Sequence, residues 1–224
     1  MESTVTGAAA GRTMAHQRLR EAITGSELAP GQRLIEADLV GMFGVPRNAV
    51  RLALDALVAE GLVERIPNRG ARVRRVSTEE AVAITECRMA LEGLIAAKAA
   101  QHATDAEIAD LQAQVEQMRV AVEAGELVRY STLIQELHQV IRRAARQPTA
   151  ATLIERLQAQ IIRHQFRLSL RPGRPQVSLA GLTALVAAIS ARDPEAAEAA
   201  IRAHLRGVIA ALNETTVPGE GSRA

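Results

Sequence analysis

Between Gly44 and Gly61 the chain writes a turn, a helix and a stop. Pro46 is acceptable in a first helical turn and Gly61 stands just past the last one. At about 100° per residue, Val50, Ala53, Leu54 and Leu57 share one face. Asn48, Arg51 and Asp55 lie across from them, and Arg47 projects from the first turn. A helix divided in this way docks its apolar seam on its own domain and offers its first turns to base edges and phosphates in a major groove. Taken alone, the stretch reads more readily as an ordinary amphipathic helix with solvated arginines. Its neighbours decide the matter.

Upstream, Met14 to Thr24 reads as a helix with Leu19 and Ile23 inward, closed by Gly25. Leu28 to Leu34 is a Pro-Gly turn and a short extended piece carrying Arg33, and Ile35 to Phe43 is a second helix ended by Gly44. Downstream, Leu62 to Ile66 alternates like a strand, Pro67-Asn68-Arg69-Gly70 turns, and Ala71 to Arg74 alternates again. Three helices and a hairpin tipped with arginine predict a winged helix-turn-helix, whose wing residues Arg69 and Arg72 reach toward a minor groove or the backbone. Residues 12–76 hold eleven arginines against seven acidic residues, whereas residues 77–224 are near neutral. A basic head on a neutral body suits DNA binding.

Ser77-Thr78-Glu79-Glu80 and Thr104-Asp105-Ala106-Glu107 have the spacing of capping boxes. They open two of six expected helices, at 78–103, 105–124, 127–146, 150–171, 177–192 and 194–213. The last has Asp193 as N-cap and Pro194 at its first position, and Pro172-Gly173-Arg174-Pro175 reads as a loop. The expected fold is mainly α: a winged helix-turn-helix of three helices and a β-hairpin, then an all-α bundle of six helices. The domains fall at 1–12 (flexible lead), 13–76 (DNA-binding), 77–215 (helical) and 216–224 (flexible tail).

Composition narrows the function classes. Aromatics make up 1% of the chain, which argues against single-strand binding on stacked rings. Cys87 is the only cysteine, and no apolar run approaches the length of a membrane span, so a cytoplasmic protein without membrane contact is expected. A nucleophile–base pair and a phosphate-cradling glycine loop are both missing, which speaks against an enzyme.

Four polar side chains fall on apolar stripes of the helical part: Arg88 among Ile84, Leu91 and Ile95; His138 among Ile134, Leu137 and Ile141; His164 beside Ile161 and Leu168; His204 beside Ile201, Leu205 and Val208. A buried arginine needs a partner, which is either a ligand carboxylate or Glu92 one turn on. For each histidine alone, a satisfied core or rim residue is the simpler reading. Cys87 adjoins Arg88, but adjacent helix positions diverge by about 100°, so a buried, inert thiol is favoured over a redox sensor.

The phrases Leu28-Ala29-Pro30-Gly31, Glu36-Ala37-Asp38-Leu39, Gly44-Val45-Pro46-Arg47, Leu57 to Val63 and Pro67 to Ala71 together resemble the N-terminal domain of GntR-family transcription regulators. Glu86 to Glu92 and Arg202 to Leu205 resemble the FCD sensing domain of the FadR-type subgroup. The resemblance implies a homodimeric regulator, a repressor, that binds palindromic double-stranded operator DNA and is modulated by a small-molecule effector bearing a carboxylate. The alternative is a constitutive DNA binder whose sensing has degenerated. DNA contacts are expected from Arg33, Arg47, Asn48, Arg51, Asn68, Arg69, Gly70 and Arg72. Effector contacts are expected from Arg88, His138, Arg142, His164 and His204. Two departures stand out: Leu52 replaces a usual glutamate after the second arginine, and Pro46 a usual Ser or Thr at the N-cap. Many relatives bind a divalent metal such as zinc through one Asp and three His. His138 and His204 match two of those places, but Ile134 and Leu182 occupy the others. No cofactor is therefore expected, and a metal would need a third nitrogen, for which His164 is the candidate.

Overall fold

A computed structural model describes residues 2–67 and 70–214, with side chains from residue 11 onward. The chain divides into two compact units, Met1–Val76 and Ser77–Ala224.

The first unit contains α1 (Glu2–Thr24), β1 (Arg33–Leu34), α2 (Glu36–Phe43), α3 (Arg47–Ala59), β2 (Val63–Ile66) and β3 (Gly70–Val73). Its core is built from the faces that the periodicity marks: Leu19 and Ile23 of α1, Leu39 of α2, and Val50, Ala53, Leu54 and Leu57 of α3 are all buried. Two details differ from the sequence reading. α1 begins at Glu2, so residues 2–12 are helical where a flexible lead is expected. The run Ala8-Ala9-Ala10 has the strongest helix propensity and no proline interrupts it. The exit of α1 turns at Ser26, which takes the left-handed conformation (φ 71°), and not at Gly25. The short extended piece also finds a partner, for β1 pairs antiparallel with β3 and the sheet order is β1-β3-β2. Gly31 feeds it at φ +80°, with the Arg75 guanidinium lying where a β-carbon would stand.

The second unit contains α4 (Thr78–His102), α5 (Asp105–Glu123), α6 (Leu127–Ala144), α7 (Pro148–Ser169), α8 (Arg174–Ser190) and α9 (Pro194–Asn213). Ser77 accepts a hydrogen bond from the Glu80 N–H, and Thr104 and Glu107 form a reciprocal capping box. Asp193 caps α9 by accepting from the Ala196 N–H. Two prolines shift the expected boundaries. Pro148 starts α7, with Gln147 capping the Thr149 and Ala150 N–H groups, and Pro175 sits in the first turn of α8 after Gly173 at φ 77°. Proline has no N–H to lose in a first turn, so it starts these helices where it was expected to end or precede them. α4 runs along α9, and Tyr130, Leu137, Ile154, Leu182, Ile189 and Leu205 fill the core around them. Among the described residues no helix is long and apolar enough to cross a membrane. The expected tail, 216–224, lies outside the described residues.

Candidate functional site

In the first unit α3 carries an apolar seam into the core and leaves Arg47, Asn48, Arg51 and Asp55 exposed. No side chain caps α3, because Pro46 occupies the N-cap. Arg47 Nε is held 3.0 Å from Glu36 Oε2 on α2, and Arg51 Nη2 donates to Asn48 Oδ1 at 3.2 Å. Both arginines stay largely in solvent, where such bonds exchange readily for contacts to phosphate or base. Leu52, in place of the usual glutamate, is 39% exposed beside Arg51.

The sheet explains Arg33. β1 and β3 pair Arg33 with Arg72, and β2 pairs Glu64 with Arg72, so three charged residues form one cross-strand row, with Arg33 and Arg72 exposed and Glu64 half-buried. Arg72 Nε bonds Glu64 Oε1 at 2.6 Å. Gly70 opens β3 at φ +86°, a conformation that disfavours a side chain at the wing tip. Asn68 and Arg69, the remaining wing candidates, lie outside the described residues.

In the second unit a cavity of about 70 Å³ opens among α4, α6, α7, α8 and α9. Arg88, His138 and His204 line it. So does Tyr130, which shares the His138 stripe, and so do Gln165, Phe166, Arg174 and Ser178, which the sequence stripes do not reveal. The Tyr130 hydroxyl donates to the Pro175 carbonyl at 3.1 Å and ties α6 to the start of α8. Arg142 does not join this cavity. It faces a smaller one with Glu92, which His138 also lines, and donates from Nη1 to Gln158 at 3.2 Å. His164 is half-buried on α7 and is not among the lining residues, although its neighbours Gln165 and Phe166 are.

Arg88 is only 2% exposed and finds its partner within α4: Nε and Nη2 donate to Glu92 Oε1 at 2.8 and 2.5 Å. Its Nη1 and the Glu92 Oε2 have no hydrogen-bond partner among the described residues. Burial alone pushes the Glu92 carboxyl up, but the charges of Arg88 and His138 outweigh it and hold Glu92 below the usual carboxylate range. His138 is pushed down to about 4 by burial, against the pull of Glu92 3.7 Å away, and His204 down to about 3 by burial and by His138. Both rings are therefore neutral near pH 7, with their centroids 6.5 Å apart.

The residues do not fit a metal. Ile134 and Leu182 stand at two of the four ligand places, Leu182 fully buried in the core, and His164 stays off the cavity. Among the described residues no three metal-ligating side chains come together. Cys87 corrects another expectation: it is exposed on α4 and not buried.

Comparison with known proteins places both units. The pattern "Bacterial regulatory proteins, gntR family" matches residues 12–73, and "FCD domain" matches residues 83–207. The HTH-type transcriptional repressor RspR of Escherichia coli K12 is 29% identical over 190 residues, covering 85% of this chain and 83% of its own length. The repressor NanR of Salmonella newport is 28% identical over 224 residues, covering 88% and 83%. Among solved structures, E. coli McbR/YncC superposes with a TM-score of 0.78 at 23% identity, over 92% of this chain and 99% of that one. A GntR regulator from Rhodococcus sp. RHA1 gives 0.73 at 21% identity, over 92% and 99%.

Proposed function

The chain belongs to the GntR family, as a DNA-binding transcription regulator with an FCD effector domain, and on that premise we propose that it is a cytoplasmic repressor whose operator affinity is set by a small organic acid. It binds as a homodimer, and a two-fold dimer reads a palindromic operator. The repressor sense follows its similarity to RspR and NanR, both named as repressors.

The observation that carries this reading is the division of α3, with four residues of the seam in the core and Arg47, Asn48 and Arg51 left in solvent. Arg33 and Arg72, paired across the sheet, supply backbone contacts beside it. The cavity of the second unit, lined by two arginines, supports effector control over constitutive binding. An effector shifts operator affinity only by its differential affinity for the DNA-competent and DNA-incompetent states.

The test uses a palindromic duplex recovered by selection from a random pool. Arg51→Ala is expected to weaken specific binding by about 1–3 kcal/mol while leaving non-specific duplex binding less affected. Equal affinity of variant and wild type for the selected duplex would refute the role assigned to α3.

A further inference from the structure

Two arginines line the cavity, and their charges stand differently. The Arg88 charge is already matched by the Glu92 carboxylate through two hydrogen bonds, which leaves only the Nη1 donor unspent. Arg174 is half-buried at the first position of α8, and no carboxylate among the described residues lies within ion-pair distance of its guanidinium. The acids and carbonyls nearby are engaged elsewhere. Glu214 lies 3.7 Å from Arg171, which also donates to the Ala211 carbonyl, and the Pro175 carbonyl takes the Tyr130 hydroxyl. Arg174 reaches α9, where a β-carbon added to Gly207 would make ordinary van der Waals contact with Nη1 at 3.7 Å. The remaining wall is mixed: Ile134, Phe166, Leu205 and Val208 form an apolar part of it, while three glutamines and three serines also face the same space.

We propose that Arg174 is the effector anchor and that the cavity takes, without metal, an organic acid with one anionic group and an apolar body. This deepens the effector reading above and rests on it. The acid pairs with Arg174, the cavity's one arginine without an ion pair among the described residues, on which Glu214 acts only from a distance. Where the ligand carries a further, uncharged oxygen, that oxygen accepts from Arg88 Nη1, whose burial without a partner is costly until it is met. The body lies against Ile134 and Phe166. A polyacid is disfavoured, because a second charge would enter a partly buried space with no cation left to match it.

The experiment is thermal unfolding and calorimetric titration of the full chain with benzoate, octanoate, succinate and uncharged benzamide, each with and without EDTA. Benzoate or octanoate is expected to raise the melting temperature, succinate and benzamide to do so far less, and EDTA to change nothing. Arg174→Gln is expected to keep the unliganded melting temperature and to lose roughly tenfold to hundredfold in monoacid affinity, with Arg174→Lys recovering part of it. Monoacid binding that Arg174→Gln leaves intact, that the double variant Arg88→Gln/Glu92→Gln abolishes, or that EDTA removes would overturn the assignment while the effector reading stood. A wild-type chain that no acid stabilises would overturn both.

Discussion

Glu92 shows how one side chain decides what another is for. An arginine buried as deeply as Arg88 needs its charge matched, and the pair lies one turn apart on α4, 2% and 4% exposed. Removing one partner strands a buried charge, whereas removing both lets apolar side chains fill the space. Glu92→Leu is therefore expected to lower stability in urea unfolding by about 3–5 kcal/mol, and Arg88→Met/Glu92→Leu to lie close to wild type or above it. Equal losses in the single and double variants would mean that the pair is not the unit that matters. The spacing of Arg88 and Glu92 and the apolar stripe around them are visible in the sequence, and so is the choice between Glu92 and a ligand acid. Geometry settles the partner as Glu92. Arg174 is not visible in this way. It sits in a phrase rich in proline and glycine that reads as a surface loop, and only the return of α9, with Gly207 alongside, turns it toward a cavity.

Helix ends carry much of what patterning leaves open. Thr104 accepts from the Glu107 N–H, Glu107 reaches back to the Thr104 N–H, and the same carboxylate holds Arg146 at 2.7 and 2.9 Å. The hydrogen bond from Arg146 comes first in holding the Glu107 pKa down to about 2. Thr104→Ala is expected to cost about 1 kcal/mol, or about 2–4 °C in melting temperature, with Thr104→Ser near neutral. A serine variant as unstable as the alanine variant would show that the hydroxyl bond is not what Thr104 supplies. Box spacing of this kind makes the starts of α4 and α5 legible in the sequence, and Asp193 followed by Pro194 does the same for α9. α7 and α8 start earlier than the pattern predicts, because Pro148 and Pro175 read as connection residues but belong to first turns. β1 is two residues long, too short for any period, and its identity rests on a partner some forty residues away in β3. The amphipathic division of α3, by contrast, is fully stated by local periodicity and buries as the pattern dictates.

At the scale of the whole molecule, the described groups whose pKa values burial and charge move most on the acid side lie in the helical unit, and they act in one direction. His138 titrates near 6.5 when unfolded and is pushed to about 4 when folded. Burial is the main cause, set against Glu92 and joined by the charges of Arg88 and Arg142, with His204 facing it from α9. As pH falls through 6.5 the unfolded chain takes up this proton and the folded chain does not, so stability is complete above 6.5 and drains away toward 4. His204, pushed to about 3, extends the loss to lower pH. Glu92 and Glu107 are lowered from 4.5, so the stability that each contributes is present above that value and is lost as acid protonates it in the folded state, for Glu107 near 2. A shift of the size of His138's corresponds to something on the order of 3 kcal/mol. Urea unfolding at pH 7.5, 6, 5 and 4.5 is expected to show stability falling through this window before the carboxylates are protonated. His138→Gln, which cannot take up the proton in either state, is expected to flatten the upper part of that slope. A variant whose stability falls as steeply as wild type between pH 6.5 and 5 would place the acid sensitivity elsewhere. A flattened slope would tie it to the wall that His138 makes between the larger cavity and the smaller space beside Glu92, the surroundings in which the proposed effector would bind.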